Sequence, residues 1–455
     1  MKTSVAILGS GPAGSCAAMR LADHGIDSVI VEKLPFPRYH IGESLTGEAG
    51  GLLRALGFED RMLAAGHPVK HGVKVYGPTG QSWFVPVKQR MPDGTLVDQV
   101  TWQVRRSLFD AMLLEEAERQ GVTVVPGKAV RPLLADDGAV QGLRVRPSDG
   151  GEFDLEADLV LDCSGQATFM ATHGITGPKY LGAYDKQIAI FSQVTGFERD
   201  SGENGDRAEM PDNTLTFYRA KYHWAWAIPL DAEVVSVGVV IPSQYFLDRK
   251  ESKHDFLRRE LHELSADLTR RLPKIEFVED VHVIPNYSFQ VADWAGKGFI
   301  CVGDSHRFID PIFSPGVFVA MKEAHFAAET AARYLGNGRG PDVVREHMVH
   351  CDQGTDIFED MIDTFWENPL AFSVLVHRRC REEMIDIFAG RMYAEDGQPS
   401  DAVLRLRKLL SRERTYDGAS HDSSPIGSRY HPERAALWNS TLDSVETTES
   451  WMRES

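Results

Sequence analysis

Three glycines stand at G-x-G-x-x-G spacing in Gly9-Ser10-Gly11-Pro12-Ala13-Gly14, directly after the apolar run 5–8. A short continuous apolar run is the pattern of a buried parallel strand. Glycines at that spacing permit a tight turn, close approach of backbone to a pyrophosphate, and close packing of the next helix on the strand. The phosphates would meet free N–H groups and the positive dipole end of a helix at 15–21. A second apolar strand, 28–31, ends in Glu32, eighteen residues beyond Gly14, where a carboxylate would take ribose hydroxyls. Two further strand ends carry small and acidic residues, Asp162-Cys163-Ser164-Gly165 and Gly303-Asp304. The first lets a ligand come close, and the second can set a carboxylate on a polyol. A helix start at 314–317 can face a pyrophosphate or a flavin ring. A nucleotide contacted from both ends of a chain suits FAD better than NAD.

The elements that must position these residues alternate strand and helix as far as about residue 174. Prolines at 35 and 37 keep the loop 34–45 out of regular helix. Helices are expected at 46–56, 59–65 and 106–121, and strands at 69–76, 81–87, 122–125 and 158–161. A β-meander at 141–145 and 152–155 falls between the last two. Four strands without intervening helices (187–194, 214–218, 223–228 and 234–240) predict an antiparallel sheet and so a second domain. A charged helix at 253–271, a buried strand at 298–302 and a long alanine-rich helix at 314–335 follow, and 340–412 is mostly helical. Beyond 412 the composition turns to Ser, Asp, Gly and Glu, with 435–438 the apolar exception, the pattern of a loosely held tail. The expectation is an α/β chain. Residues 1–175 and 275–340 form a nucleotide-binding domain, with 69–104 on the substrate side. Residues 176–274 form an antiparallel-sheet substrate domain and 341–455 a helical C-terminal region.

At 455 residues the chain has room for two or three domains with ample core. A formal net charge of −17 without a basic stripe argues against nucleic acid as a partner. No run approaches about eighteen consecutive apolar residues, so no membrane span is expected. The N-terminus enters the first strand at once, leaving no room for a signal peptide. Five cysteines (16, 163, 301, 351 and 380) lack C-x-x-C spacing, and three lie in apolar runs, the usage of reduced thiols in the cytoplasm. His40, His71, His223 and His306 show no ligand spacing, so no metal is expected.

Three longer strings stand on this frame. They are Phe36-Pro37-Arg38-Tyr39-His40-Ile41-Gly42-Glu43-Ser44-Leu45, Trp224-Ala225-Trp226-Ala227-Ile228-Pro229 and Asp310-Pro311-Ile312-Phe313-Ser314-Pro315-Gly316-Val317. Side chains alternate along a strand, so Trp224, Trp226 and Ile228 share one face. The order G-x-G-x-x-G, D-x-S-G, G-D, P-x-x-x-x-G resembles the FAD-binding fold of the aromatic hydroxylases over roughly residues 1–340. Within that superfamily the three strings, W-x-W-x-I-P above all, resemble the flavin-dependent halogenases, and the phenol and pyrrole branch more than the tryptophan branch.

The resemblance implies a Rossmann-like FAD-binding domain of the aromatic-hydroxylase type. It implies cofactor contacts at Gly9, Gly11, Ala13, Gly14, Glu32, Lys33, Arg38, Arg106, Asp304, Pro311, Gly316 and Val317. It also implies that reduced FAD (FADH2) and oxygen form a flavin hydroperoxide that turns chloride or bromide into hypohalous acid. A lysine then delivers the electrophile to a phenol or pyrrole, free or bound to a carrier protein, and a separate NAD(P)H flavin reductase supplies the reduced flavin. An amine can hold hypohalous acid, and burial lowers its pKa toward neutrality. The family pattern of a lysine two residues before a glycine, ahead of an aromatic-containing strand, matches Lys70-His71-Gly72, with Lys74 the rival. The W-x-W-x-I-P strand would lie near the passage between flavin and substrate, and Arg38 and Glu43 in the loop that covers the flavin. One departure concerns the halide, which relatives hold on backbone N–H groups where this chain has Ser314-Pro315-Gly316. Proline has no N–H. Losing one charge-assisted bond costs a buried anion about 1.5–3 kcal/mol, and Gly316 and Val317 remain as donors. Pro315 therefore keeps open an aromatic monooxygenase or ene-reductase of the same fold, and a non-catalytic flavin-binding protein stands as a third reading.

Overall fold

The first strand, Lys2–Leu8, buries Val5, Ala6 and Ile7 completely because parallel neighbours flank it on both sides. Ser28–Glu32 lies on one side and Phe153–Asp162 on the other, and Thr123–Leu134 and Phe299–Cys301 extend the sheet outward. The computed structural model describes residues 1–181, 187–200, 211–285, 288–336, 340–393 and 398–411, and the tail expected beyond 412 lies outside them. Register aligns the strand ends: Leu8 pairs with Val31 and with Asp162, and Asp162 with Cys301. The residues that follow, Gly9, Glu32, Cys163 and Val302, therefore emerge along one carboxyl edge. That is where open α/β sheets take their ligands. The meander appears as Val140–Pro147, antiparallel to both Thr123–Leu134 and Phe153–Asp162. The strands expected at 152–155 and 158–161 are one, Phe153–Asp162, because burial alternates through its first half before both faces are covered.

A second sheet has Gln187–Thr195, Val235–Pro242, His223–Pro229 and Thr214–Ala220 as antiparallel neighbours. It continues through Gly72–Tyr76, which runs parallel to Thr214–Ala220, and ends on Ser82–Pro86. Alternation gives this sheet two apolar faces. Trp224, Trp226 and Ile228 join the core shared with the nucleotide-binding sheet, whereas Ala225 and Ala227 join a separate cluster with Phe256, Leu257 and Leu261. Those last three belong to the helix Lys253–Glu263. The helix expected to run to 271 stops there, and Ser265 caps a short new turn, Ala266–Thr269, by accepting from the Leu268 N–H at 3.2 Å.

The strand expected at 69–76 is two. Asn213 Oδ1 accepts the N–H groups of both His71 and Gly72, at 2.9 and 2.8 Å. A Cβ at Gly72 would lie 2.3 Å from the Val85 carbonyl and from the Phe84 ring, so only glycine turns this corner. Val69–Lys70 consequently leaves the large sheet and pairs with Thr101–Trp102. The long helix begins at Gly316 rather than 314, because Ser314 sits at φ 58°, a left-handed conformation that α-helix excludes. The C-terminal region is helical as expected: Pro341–Glu367, Pro369–Val374, Arg381–Ala389 and Asp401–Leu409, with one π turn at Leu375–Arg379.

Candidate functional site

The glycine loop is built to receive a ligand and is closed to side chains on its inner surface. A Cβ at Gly14 would meet the Gly9 carbonyl oxygen at 1.9 Å, and one at Gly9 would meet that of Cys163 at 2.6 Å. Gly9 also sits at φ +95°, which L side chains rarely adopt. At Gly11 the surroundings are open, with the Arg38 Nη2 as nearest neighbour at 3.8 Å. Ala13 is buried in the first turn of Pro12–Asp23, whose start at Gly11 has no side-chain cap. The N-terminal N–H groups and Arg38, with its buried Nε lacking a partner among the described residues, fit a pyrophosphate.

Glu32 faces the loop. Its Oε2 accepts from the Ser10 N–H and hydroxyl, each at 2.8 Å, and its Oε1 from the Leu34 N–H at 2.9 Å. These bonds hold the carboxylate at the strand end, where a ribose edge would reach it. Lys33, next in the chain, is exposed. Asp162 turns its carboxylate inward to the Ser164 and Met170 N–H groups, so it shapes the turn.

Arg106 ties the loop 34–45 to the helix Arg106–Arg119. Its guanidinium meets Asp110 through two bonds, of 2.6 and 2.9 Å, and donates to the Ile41 carbonyl at 2.5 Å. Gly42 stands beside it at φ +97°, which L side chains rarely adopt, and a Cβ there would also lie 2.9 Å from the Arg106 Nη1. Arg38 Nη2 reaches Asp110 at 3.9 Å, so one buried carboxylate anchors both arginines. Burial raises the Asp304 carboxyl to about 7, against the pull of Arg106. Asp310 starts the turn Pro311–Phe313 by accepting the Ile312 N–H at 3.1 Å, and the Trp366 Nε1–H donates to its other oxygen at 3.2 Å. The helix Gly316–Gly336 makes its first bond from the Val319 N–H to the Pro315 carbonyl at 2.9 Å, leaving the Gly316 and Val317 N–H groups ahead of the ladder. A Cβ at Gly316 would meet nothing within 4 Å.

Lys70 is 2% exposed. Its Nζ donates to the Ser44 Oγ and to the Leu45 carbonyl, both at 2.8 Å. Ser44 shares a hydrogen bond of 2.7 Å with the Thr214 hydroxyl, which also accepts from Gln103 Nε2 at 2.9 Å. No carboxylate among the described residues pairs with the amine, and burial lowers its pKa to about 7. Lys74 is half-buried, with its Nζ over the Tyr76 ring at 5.3 Å.

Beside Ser44, Glu43 is 1% exposed. Its Oε1 accepts from Gln193 Nε2 at 3.2 Å, and Ser236 also hydrogen-bonds its side chain. Burial raises the carboxyl to about 7, opposed by those bonds and by Arg106 and Arg105. Ser236 accepts the Trp226 indole N–H at 3.2 Å, which joins the W-x-W-x-I-P strand to the covering loop. Gln193, Ser236, Gln103 and Thr214 were not predicted from the sequence. Each is a common polar residue whose partner lies far away in the chain, so no local signal existed.

The FAD binding domain family matches residues 2–344. The 1H-pyrrole-2-carbonyl-[peptidyl-carrier protein] brominase of Pseudoalteromonas luteoviolacea is 33% identical over 403 residues, covering 88% of this chain and 95% of the relative. The corresponding chlorinase of Pseudomonas fluorescens is 26% identical over 438 residues, covering 90% and 93%. The structure of the flavin-dependent brominase Bmp2 superposes with a TM-score of 0.82 at 33% identity, over 90% of this chain and 98% of that one. Among the described residues no helix is long and apolar enough to cross a membrane. With an FAD domain over most of its length and a halogenase matching it nearly end to end, the chain belongs to the flavin-dependent halogenases, enzymes that use FAD and halide.

Proposed function

We propose that the protein halogenates an electron-rich pyrrole or phenol through Lys70, with a pyrrole-2-carboxyl group held as a thioester on a carrier protein as the favoured substrate. Reduced FAD and oxygen supply the oxidising equivalent that turns halide into hypohalous acid, and a separate NAD(P)H flavin reductase provides the reduced flavin. The buried, carboxylate-free amine of Lys70 carries this reading. Near neutral pH such an amine has a lone pair to hold or hydrogen-bond hypohalous acid, and Ser44 Oγ and the Leu45 carbonyl fix its direction. The glycine loop, Glu32, Lys33, Arg38 and Arg106 would bind the nucleotide, with Asp304 on its polyol and Pro311 beside the ring.

Gly316 and Val317 would hold the halide with the N–H groups that precede the helix ladder. Pro315 contributes none, so two donors and the helix dipole do the work. Trp224 and Trp226, 5.8 Å apart between ring centroids, would wall the passage against bulky substrate. The carrier-bound pyrrole is favoured because relatives matching more than nine-tenths of their own length are named for it.

The test supplies the purified protein with FAD, a flavin reductase, NADH, oxygen and bromide. It offers pyrrole-2-carboxyl carrier protein beside free pyrrole-2-carboxylate and a phenol panel. Bromination of the carrier-bound acyl group supports the reading. Bromination confined to free aromatics would replace the substrate, and hydroxylation without bromination would refute the reading.

A further inference from the structure

The helix Pro369–Val374 and the π turn Leu375–Arg379 bury one side and leave the other bare. Phe372, Leu375 and Val376 are buried, whereas Leu370 is 86% exposed, the highest value among the exposed large apolar side chains, and Val374 is 45% exposed. Positions 370, 374 and 378 follow at four-residue spacing, so an apolar strip leads to an arginine. Arg378, Arg379 and Arg381 are exposed, and none forms an ion pair among the described residues.

The acids nearby bond other groups, and Asp401 also feels the charge of one patch arginine, Arg379. Glu382 lies 3.6 Å from Arg90, Glu383 accepts the Ala402 N–H at 2.6 Å, and Asp401 pairs with Arg405 at 2.7 Å. A patch with three arginines that form no ion pair among the described residues, beside bare leucine and valine, is out of character for a chain of net charge −17. Exposed apolar surface rimmed by charge marks an interaction site, and single π turns recur at functional positions.

Ring contacts link the patch to the interior. The His377 ring stands 5.9 Å from Trp83, edge to face, and Trp83 stands 6.4 Å from Phe313. Phe313 belongs to the Asp310–Val317 string beside the start of the long helix. A chain of ring contacts thus connects the basic surface to that string.

We propose that the surface formed by Leu370, Val374, Arg378, Arg379 and Arg381 docks an acidic carrier protein, whose tethered acyl group then passes inward along Trp83. The proposal rests on the carrier-bound substrate inferred above. Charge complementarity selects the occupant. The net field of a strongly acidic enzyme repels an acidic domain, so a local positive patch can fix where and in which orientation it lands. Leu370 and Val374 supply the apolar contact that excludes water between the charges.

The test uses the FAD-loaded full chain and compares pyrrole-2-carboxyl thioester on the carrier protein with the same acyl group on pantetheine. Carrier affinity is also read by fluorescence anisotropy, independently of turnover. Reversing the patch with Arg378→Glu, Arg379→Glu and Arg381→Glu is expected to weaken carrier binding and carrier-dependent kcat/KM by roughly tenfold or more. Pantetheine kcat/KM should stay within about twofold. Raising salt from about 50 to about 300 mM should weaken the wild type toward the variant. Leu370→Ser, at a side chain too exposed to disturb the core, should weaken carrier binding alone.

Equal losses on both substrates, or carrier binding unchanged by either variant, would overturn the docking surface. A wild-type enzyme that brominates the pantetheine thioester but does not bind the carrier would also overturn it while leaving the proposed chemistry standing. A wild type that binds the carrier through this patch but brominates neither substrate would instead refute the proposed function.

Discussion

Replacing Lys70 with methionine turns the burial of one amine into a measurable pH dependence. The folded amine releases its proton near pH 7 and the unfolded one near 10.5. Below pH 7 both states carry the proton, and the cost of burying the charge is fully present. Between 7 and 10.5 the unfolded chain holds the extra proton, so stability rises with pH at about 1.4 kcal/mol per pH unit. The whole penalty is on the order of 5 kcal/mol. It is opposed by the two hydrogen bonds from Nζ, each contributing about 1 kcal/mol. Lys70→Met removes the penalty and the bonds together while keeping similar volume. The variant should therefore outlast the wild type in urea at pH 7, and the gap should shrink by about 3 kcal/mol by pH 9. Unfolding curves of the flavin-free proteins at both pH values decide it. A gap that stays constant from pH 7 to 9 would mean that the folded amine is solvated and charged, and a relay through a neutral lysine would lose its physical basis.

Glu43→Gln should show the opposite slope. The wild-type carboxyl keeps its proton in the folded state up to about 7, so between its ordinary 4.5 and 7 the folded chain binds the extra proton and stability falls as pH rises. The glutamine variant is expected to gain about 3 kcal/mol on the wild type across that interval, measured by urea unfolding. Gly238→Ala would set a Cβ 2.4 Å from the Trp226 ring and 2.5 Å from the Phe191 Cβ. Overpacking there should cost about 1–3 kcal/mol and lower the melting temperature. Gly14→Ala, with its 1.9 Å collision against the Gly9 carbonyl, should abolish tight FAD retention on gel filtration while Gly51→Ala, with only the end of Glu48 nearby at 4.0 Å, should not.

Much of the cofactor frame was legible because it is written in local signals. Apolar runs ending in Gly9, Glu32, Asp162 and Gly303 gave the parallel strands their ends, and strand register brings those ends to one edge. Alternation likewise put Trp224, Trp226 and Ile228 on one face, as the two separate cores confirm. The corner between Lys70 and Gly72 was not legible. It depends on Asn213, some 140 residues away, and nothing in 69–76 announces that its pattern changes sheets. The same holds for the environment of Glu43, which burial alone converts from an ordinary loop acid into a group poised near neutrality. The expected single helix at 253–271 failed for a local reason, since Ser265 was available as a cap within it.

The relay through Lys70 is tested most directly by a single turnover of FAD-loaded Lys70→Met, starting from reduced flavin with oxygen, bromide, the pyrrole thioester and an added small-molecule trap for hypobromous acid. Brominated trap and unmodified pyrrole are expected, while the wild type brominates the pyrrole. Bromopyrrole formed by Lys70→Met at the wild-type rate would contradict it.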